Sequence, residues 1–118
     1  MKQEQRASIA LICGAISHNQ RFRSVFDYSK SRYCAFSINN FQSNNISVFD
    51  YDRGCYISGS LPNLFDYCTG TYVHIDRRGN QFHGFDYASC CYFIATVNGK
   101  NILFFDYEDN SYSNFVIS

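Results

Sequence analysis

The chain has 118 residues, of which 46% are hydrophobic, with ten Lys and Arg against ten Asp and Glu; this fits one domain, 1–118, around one core. A formal charge of zero argues against a nucleic-acid partner and against an anionic membrane, because both are gripped through a basic excess. Twelve Phe and ten Tyr give a chain this short far too much apolar surface to stay disordered.

Residues 1–6, Met-Lys-Gln-Glu-Gln-Arg, read as a flexible N-terminus. The apolar run that follows, 7–16, is much shorter than the ~20 residues a membrane-spanning helix requires. Glu4 also interrupts the basic region of a secretory leader. The run is expected to be a buried strand that joins the sheet formed by the rest of the chain.

From residue 26 onward one unit recurs. Phe-Asp-Tyr stands at 26–28, 49–51, 65–67, 85–87 and 105–107, and five residues after each of those tyrosines comes another. Phe-Asp-Tyr-x4-Tyr therefore occurs five times and holds every tyrosine in the chain: Tyr28 and Tyr33, Tyr51 and Tyr56, Tyr67 and Tyr72, Tyr87 and Tyr92, Tyr107 and Tyr112. A repeat this regular decides the architecture. A four-residue loop inside each unit would set its two tyrosines opposite one another as the closing pair of a hairpin. Between units, two-residue turns at Ser60-Leu61, Arg78-Gly79 and Asn98-Gly99 keep one register despite different arm lengths, Asn-Gly being the strongest turn signal. The first connection, 39–45, absorbs extra residues as a longer polar loop.

Strand alternation then puts the Phe and Tyr of every unit on one face. The other face carries Val25, Ile46, Leu64, Phe82, Phe104 and their like, together with the five motif carboxylates. The expected fold is all-β: an antiparallel meander of about ten to eleven strands built from five hairpin repeats, closed or nearly closed into a barrel. A β-solenoid is disfavoured, because its rungs need constant length and stacked Asp would repel.

Asp27, Asp50, Asp66, Asp86 and Asp106 precede each loop and are expected to cap the turns by accepting backbone N–H bonds. A turn cap is needed in every repeat, whereas a catalytic carboxylate is needed once. His74 and His83 fall opposite each other if the Arg78-Gly79 turn holds, which makes them weak metal candidates; an incidental surface pair is the favoured reading, and no metal or cofactor is expected. Six Cys without Cys-x-x-Cys spacing read as reduced thiols in a cytoplasmic protein. No phosphate-binding loop, nucleophile elbow or zinc-protease motif is present, so no enzyme is expected.

A run of hairpins of about twenty residues, each with Phe-Asp-Tyr-x4-Tyr at one end and turns such as Arg78-Gly79 and Asn98-Gly99 at the other, resembles the small bacterial β-flower proteins. That resemblance implies a shallow symmetric barrel with splayed hairpins and no established activity. For function, the ten tyrosines are the expected binding surface of a non-catalytic module for protein contact or self-association, since Tyr gives large contact area at low entropic cost. A lectin-like glycan binder is the first alternative. A small enzyme with a pocket at the barrel mouth is the second.

Overall fold

A computed structural model covers residues 1–118. In chain order the elements are α1 (Gln3–His18), β1 (Ser24–Asp27), β2 (Arg32–Gln42), β3 (Asn45–Asp50), β4 (Cys55–Ser60), β5 (Asn63–Asp66), β6 (Thr71–Arg78), β7 (Gln81–Asp86), β8 (Cys91–Asn98), β9 (Asn101–Asp106) and β10 (Ser111–Ile117). Every strand pairs antiparallel with its sequence neighbour, and β1 pairs with β10 to close a ten-stranded barrel. The five Phe-Asp-Tyr-x4-Tyr units form the five hairpins at one end of this barrel.

The hairpin tips lie one residue earlier than the spacing predicts. Asp27 pairs with Arg32, Asp50 with Cys55, Asp66 with Thr71, Asp86 with Cys91 and Asp106 with Ser111. Each loop therefore begins at the first tyrosine, and the motif Phe, rather than that tyrosine, opposes the second one. The opposite turns lie one residue later than expected, at Leu61-Pro62, Gly79-Asn80 and Gly99-Lys100. Gly79 and Gly99 have φ of 65° and 61° and now occupy the first turn position, as a type II′ turn requires. All these slips move a pairing by two residues, so the division of residues between the two faces survives. The first connection is also tighter than expected: the loop shrinks to Ser43-Asn44, the strands lengthen, and an irregularity between Ile38 and Asn40 absorbs the odd residue.

The expected N-terminal strand is a helix instead. With β1 joined to β10, no free edge is left to accept an eleventh strand. A barrel of about eight strands can be filled by side chains alone; ten strands leave room for more, and α1 takes that room. A helix satisfies its own backbone hydrogen bonds, which a lone strand inside a closed barrel cannot do. Ala7, Ile9, Ala10, Leu11, Ile12, Cys13 and Ala15 are all fully buried, so the helix has no solvent face, as its all-round apolar sequence requires. It fits because several of its residues are small. A Cβ at Gly14 would run into the Ile117 side chain. The helix begins at Gln3, and Gln5 and Arg6 are buried, so residues 3–6 are part of the plug rather than a loose end. Asn19, at φ 51°, closes the helix in a left-handed conformation.

The barrel's inner wall completes the core around α1. Phe82, Phe93, Phe104 and Phe115 are fully buried, and Phe93 stacks on Phe104 with ring centroids 5.0 Å apart. Phe93 also lies across Gly84, its cross-strand partner, in the space that a Cβ there would occupy.

Candidate functional site: a carboxylate ring inside a tyrosine collar

The strand register places two concentric structures at the motif end of the barrel. Asp27, Asp50, Asp66, Asp86 and Asp106 point inward and are at most 1% exposed. Each accepts backbone N–H bonds from its own loop: Ser29 to Asp27 at 2.9 Å, Asp52 to Asp50 at 3.0 Å, Cys68 to Asp66 at 2.9 Å, Ala88 to Asp86 at 3.3 Å and Glu108 to Asp106 at 2.9 Å. The repeated two-residue step from carboxylate to amide is the geometry of an Asx turn.

Loop amides alone would leave five buried charges under-compensated. The rest comes largely from α1, whose first turn enters the ring. Gln3 donates to Asp27 at 3.2 and 3.1 Å, Gln5 to Asp86 at 3.2 Å, and Arg6 to Asp106 at 3.1 and 2.8 Å. The Met1 amino group lies 3.2 Å from Asp106. Arg53, from the second hairpin loop, bridges Asp50 at 2.8 Å and Asp66 at 3.0 Å and reaches Ser8 of the helix at 3.2 Å. The positive end of the helix dipole thus sits among anions, which fixes which way the plug runs. No buried side-chain polar atom lacks a partner. The sequence reading missed Gln3, Gln5 and Arg6; a helix-borne Gln-x-Gln-Arg before an apolar run was the available signal once five inward Asp needed donors.

Nearby ionisable groups report the same packing. Lys30 beside Glu4 holds that carboxyl below its ordinary value. The Ser111 hydroxyl, with help from Arg6, does the same for Asp109.

Outside the ring stands the collar. All ten tyrosines are exposed, from 42% at Tyr56 to 67% at Tyr33. In every repeat the half-buried motif Phe takes both tyrosines against its ring. Phe26 meets Tyr28 at 5.0 Å and Tyr33 at 4.9 Å, with interplanar angles of 79° and 69°; the other four units repeat this, except that Phe105 and Tyr112, at 4.6 Å, are tilted at 54°. Edge-to-face pairs of this kind contribute about 0.5–1.5 kcal/mol beyond area burial, so the rings are held in place. Neighbouring repeats are also laced together. The Tyr67, Tyr87 and Tyr107 amides donate to the carbonyls of Tyr56, Tyr72 and Tyr92 at 3.0, 3.2 and 3.0 Å.

Loop residues join adjacent tips by side chains as well. Arg32 pairs with Asp52 at 3.0 Å, and at the equivalent offsets of the next two repeats Cys55 and Cys68 form a disulfide. The expectation of six reduced thiols is thereby corrected for these two: Ile57 pairs with Asp66 in the β4–β5 ladder, and the same register carried towards the tips sets Cys55 opposite Cys68. Such a bridge contributes on the order of 3 kcal/mol for a loop of this size. Cys13 and Cys34 are buried, and Cys90 is exposed. Burial drives the Cys13 thiol up strongly and pushes Cys34 up to about 12, with the Asp52 carboxylate adding to it. Alkylation requires thiolate, so iodoacetamide at pH 8 should modify Cys90 first and leave Cys13 and Cys34 untouched until the barrel unfolds, as read by mass spectrometry. The same shifts set a sign. The two thiols titrate at an ordinary value of 9.0 when unfolded, so their effect on stability is nil below that pH and becomes a loss as pH rises above it.

The expected histidine pair does not form. The Gly79-Asn80 turn sets His83 opposite Asp76 and His74 opposite Phe85. His74 instead approaches Asn63 at 3.2 Å and His83 approaches Gln81 at 3.2 Å. The side chains of metal-ligating type that do converge are Cys55, Asp66 and Cys68.

Concavities also lie at this end. One is a polar depression of about 1050 Å³ at the barrel mouth, lined by Gln5, Arg53, Cys55, Cys68 and Asp86 among others. Another is a groove of about 690 Å³ on the outer wall, between Phe65 and Tyr72 of one repeat and Tyr87 of the next, with Asn63 and Thr71 on its sides. No helix of the structure is long and apolar enough to cross a membrane. No family model matches the chain, and no curated protein or solved structure matches it either.

Proposed function

We propose that the protein is a non-catalytic binding and assembly module whose tyrosine collar contacts protein surfaces, copies of itself among them. The observation that carries this reading is the exposure of all ten tyrosines, each already ordered against a phenylalanine. Pre-ordered amphipathic rings lose little entropy on contact, and their hydroxyl tips accept or donate at a wet rim. The collar offers five near-equivalent clusters, which suits contacts that are individually weak and collectively tight. Light scattering on fractionated protein tests this. The mass should exceed 13.7 kDa and rise with concentration. A variant with Tyr67, Tyr72 and Tyr87 changed to Ser should fall towards the monomer and still melt cooperatively, at a temperature lowered by the three lost ring pairs. A monomeric mass at every concentration, the same in the variant, would contradict the assembly reading.

A glycan reading has one observation in its favour, the groove of Phe65, Tyr72 and Tyr87. It is floored by aromatic rings and flanked by an amide and a hydroxyl, with no charged side chain in its lining. Saturation-transfer contacts from a neutral oligosaccharide to these three rings would support it, and a blank glycan array would remove it.

A further inference from the structure

We propose that Cys55, Asp66 and Cys68 form a binding site for a thiophilic divalent d10 cation, with Zn²⁺ the type ion, which opens when the Cys55–Cys68 disulfide is reduced. The two sulfurs and an Asp66 carboxylate oxygen lie within 4.8 Å of one another, a span that a single tetrahedral ion can gather with small side-chain rotations. Two thiolates with one carboxylate favour zinc-like ions over the hard, oxygen-seeking Mg²⁺ and Ca²⁺.

The surroundings fit a cation-binding cluster. Asp66 is fully buried and is held from behind: the Cys68 amide donates to Oδ1 at 2.9 Å and Arg53 donates to Oδ2 at 3.0 Å. Such outer contacts orient a ligand without displacing it. Three anionic ligands around a divalent ion leave one negative charge, which lies beside the Arg53 guanidinium that Asp66 shares with Asp50. Cys68 is exposed and both cysteines line the mouth depression, which gives an entry path and leaves a fourth position open to water. The equivalent position one repeat earlier holds Arg32 and Asp52, so the cluster is particular to this pair of tips.

The chemistry balances with a dithiol as reductant. The dithiol gives up two electrons and two protons and becomes a cyclic disulfide, while the Cys55–Cys68 S–S bond becomes two thiols. Binding of the ion then replaces the two thiol protons, which pass to solvent. The oxidised protein is a stapled rim and the reduced protein a metal site, so the two states are mutually exclusive.

Cobalt is the probe, since Co²⁺ bound by thiolate in a tetrahedral site shows sulfur-to-metal charge transfer and strong visible bands. Protein reduced with dithiothreitol and desalted without air should develop these bands up to one equivalent of Co²⁺ and lose them to added Zn²⁺. The same protein left oxidised should show none. Cys68→Ser should abolish the charge-transfer band in the reduced state, whereas the double variant Cys90→Ser, Cys91→Ser should retain it. Absence of the bands in reduced protein whose circular dichroism is native would overturn the proposal, and so would bands that survive in Cys68→Ser. The oxidised and reduced wild type decide the matter even where a variant fails to fold.

Discussion

Arg53→Ala should lower folding stability by about 3–5 kcal/mol, the range expected when a buried ion pair is broken from one side. Arg53 is the only side-chain donor to both Asp50 and Asp66, and those carboxylates are 1% and 0% exposed. Removing it leaves two buried anions with loop amides alone, and also cuts the tie from the second and third hairpin tips to Ser8 of the helix. Arg53→Lys should recover only part of the loss, because one ammonium cannot reproduce a planar fork that reaches two acceptors in different directions. Adding Asp66→Asn to Arg53→Ala should make the double variant more stable than the sum of its parts, since an amide in place of the carboxylate no longer needs a cation. Urea midpoints at constant m-value give these numbers. Equal stability of Arg53→Ala and wild type would mean that the ring is wet.

The second large effect concerns the plug. Ala10→Asp and Leu11→Asp should each leave no folded population at 25 °C, because each places an unpaired carboxylate in a fully buried position and a domain of this size has only about 5–15 kcal/mol to lose. The pair matters more than either variant alone. Successive residues of a strand with one wet face point to opposite sides, so a strand would tolerate one of these two changes. A helix enclosed on every side tolerates neither. Asn114→Asp, on the outer face of β10, is the control and should melt like wild type. Circular dichroism and thermal melts of the three proteins decide the comparison.

The repeat made the barrel legible. Every tyrosine falls in one spaced motif, and the parity of that spacing survives shifts in every turn, so the sequence alone sorts Phe82 and Phe104 onto one face and Tyr67 and Tyr92 onto the other; closure of the barrel makes the first face the inside. The tips were misplaced by one residue because the parity argument cannot distinguish Tyr from Asp as the last paired residue; the choice belongs to the carboxylate, whose bond to the amide two residues on makes Asp the first residue of the turn. The helix was not legible from periodicity, because Ala7 to Ile16 is apolar in every direction and a buried strand and a buried helix look alike over ten residues. What separates them is closure of the barrel, a property of the whole chain. Gln3, Gln5 and Arg6 were missed with it: their role exists only once the helix delivers them to the ring. The histidine pair failed for a related reason, since it depended on the exact position of a single turn. Cys55 and Cys68 face each other across β4 and β5, but a turn at Ser60-Leu61 would set Cys55 opposite Asp66; only the turn at Leu61-Pro62 brings the two sulfurs together.

Amide hydrogen exchange under native conditions tests the enclosure of the helix most directly. The amides of residues 9–15 should exchange only through global unfolding, with the same free energy as the slowest amides of β7 to β9 and the same response to added urea. Exchange of those helix amides at a markedly lower free energy, while the strands stay protected, would show a helix that leaves an intact barrel, and the barrel would then have to be stable without its plug.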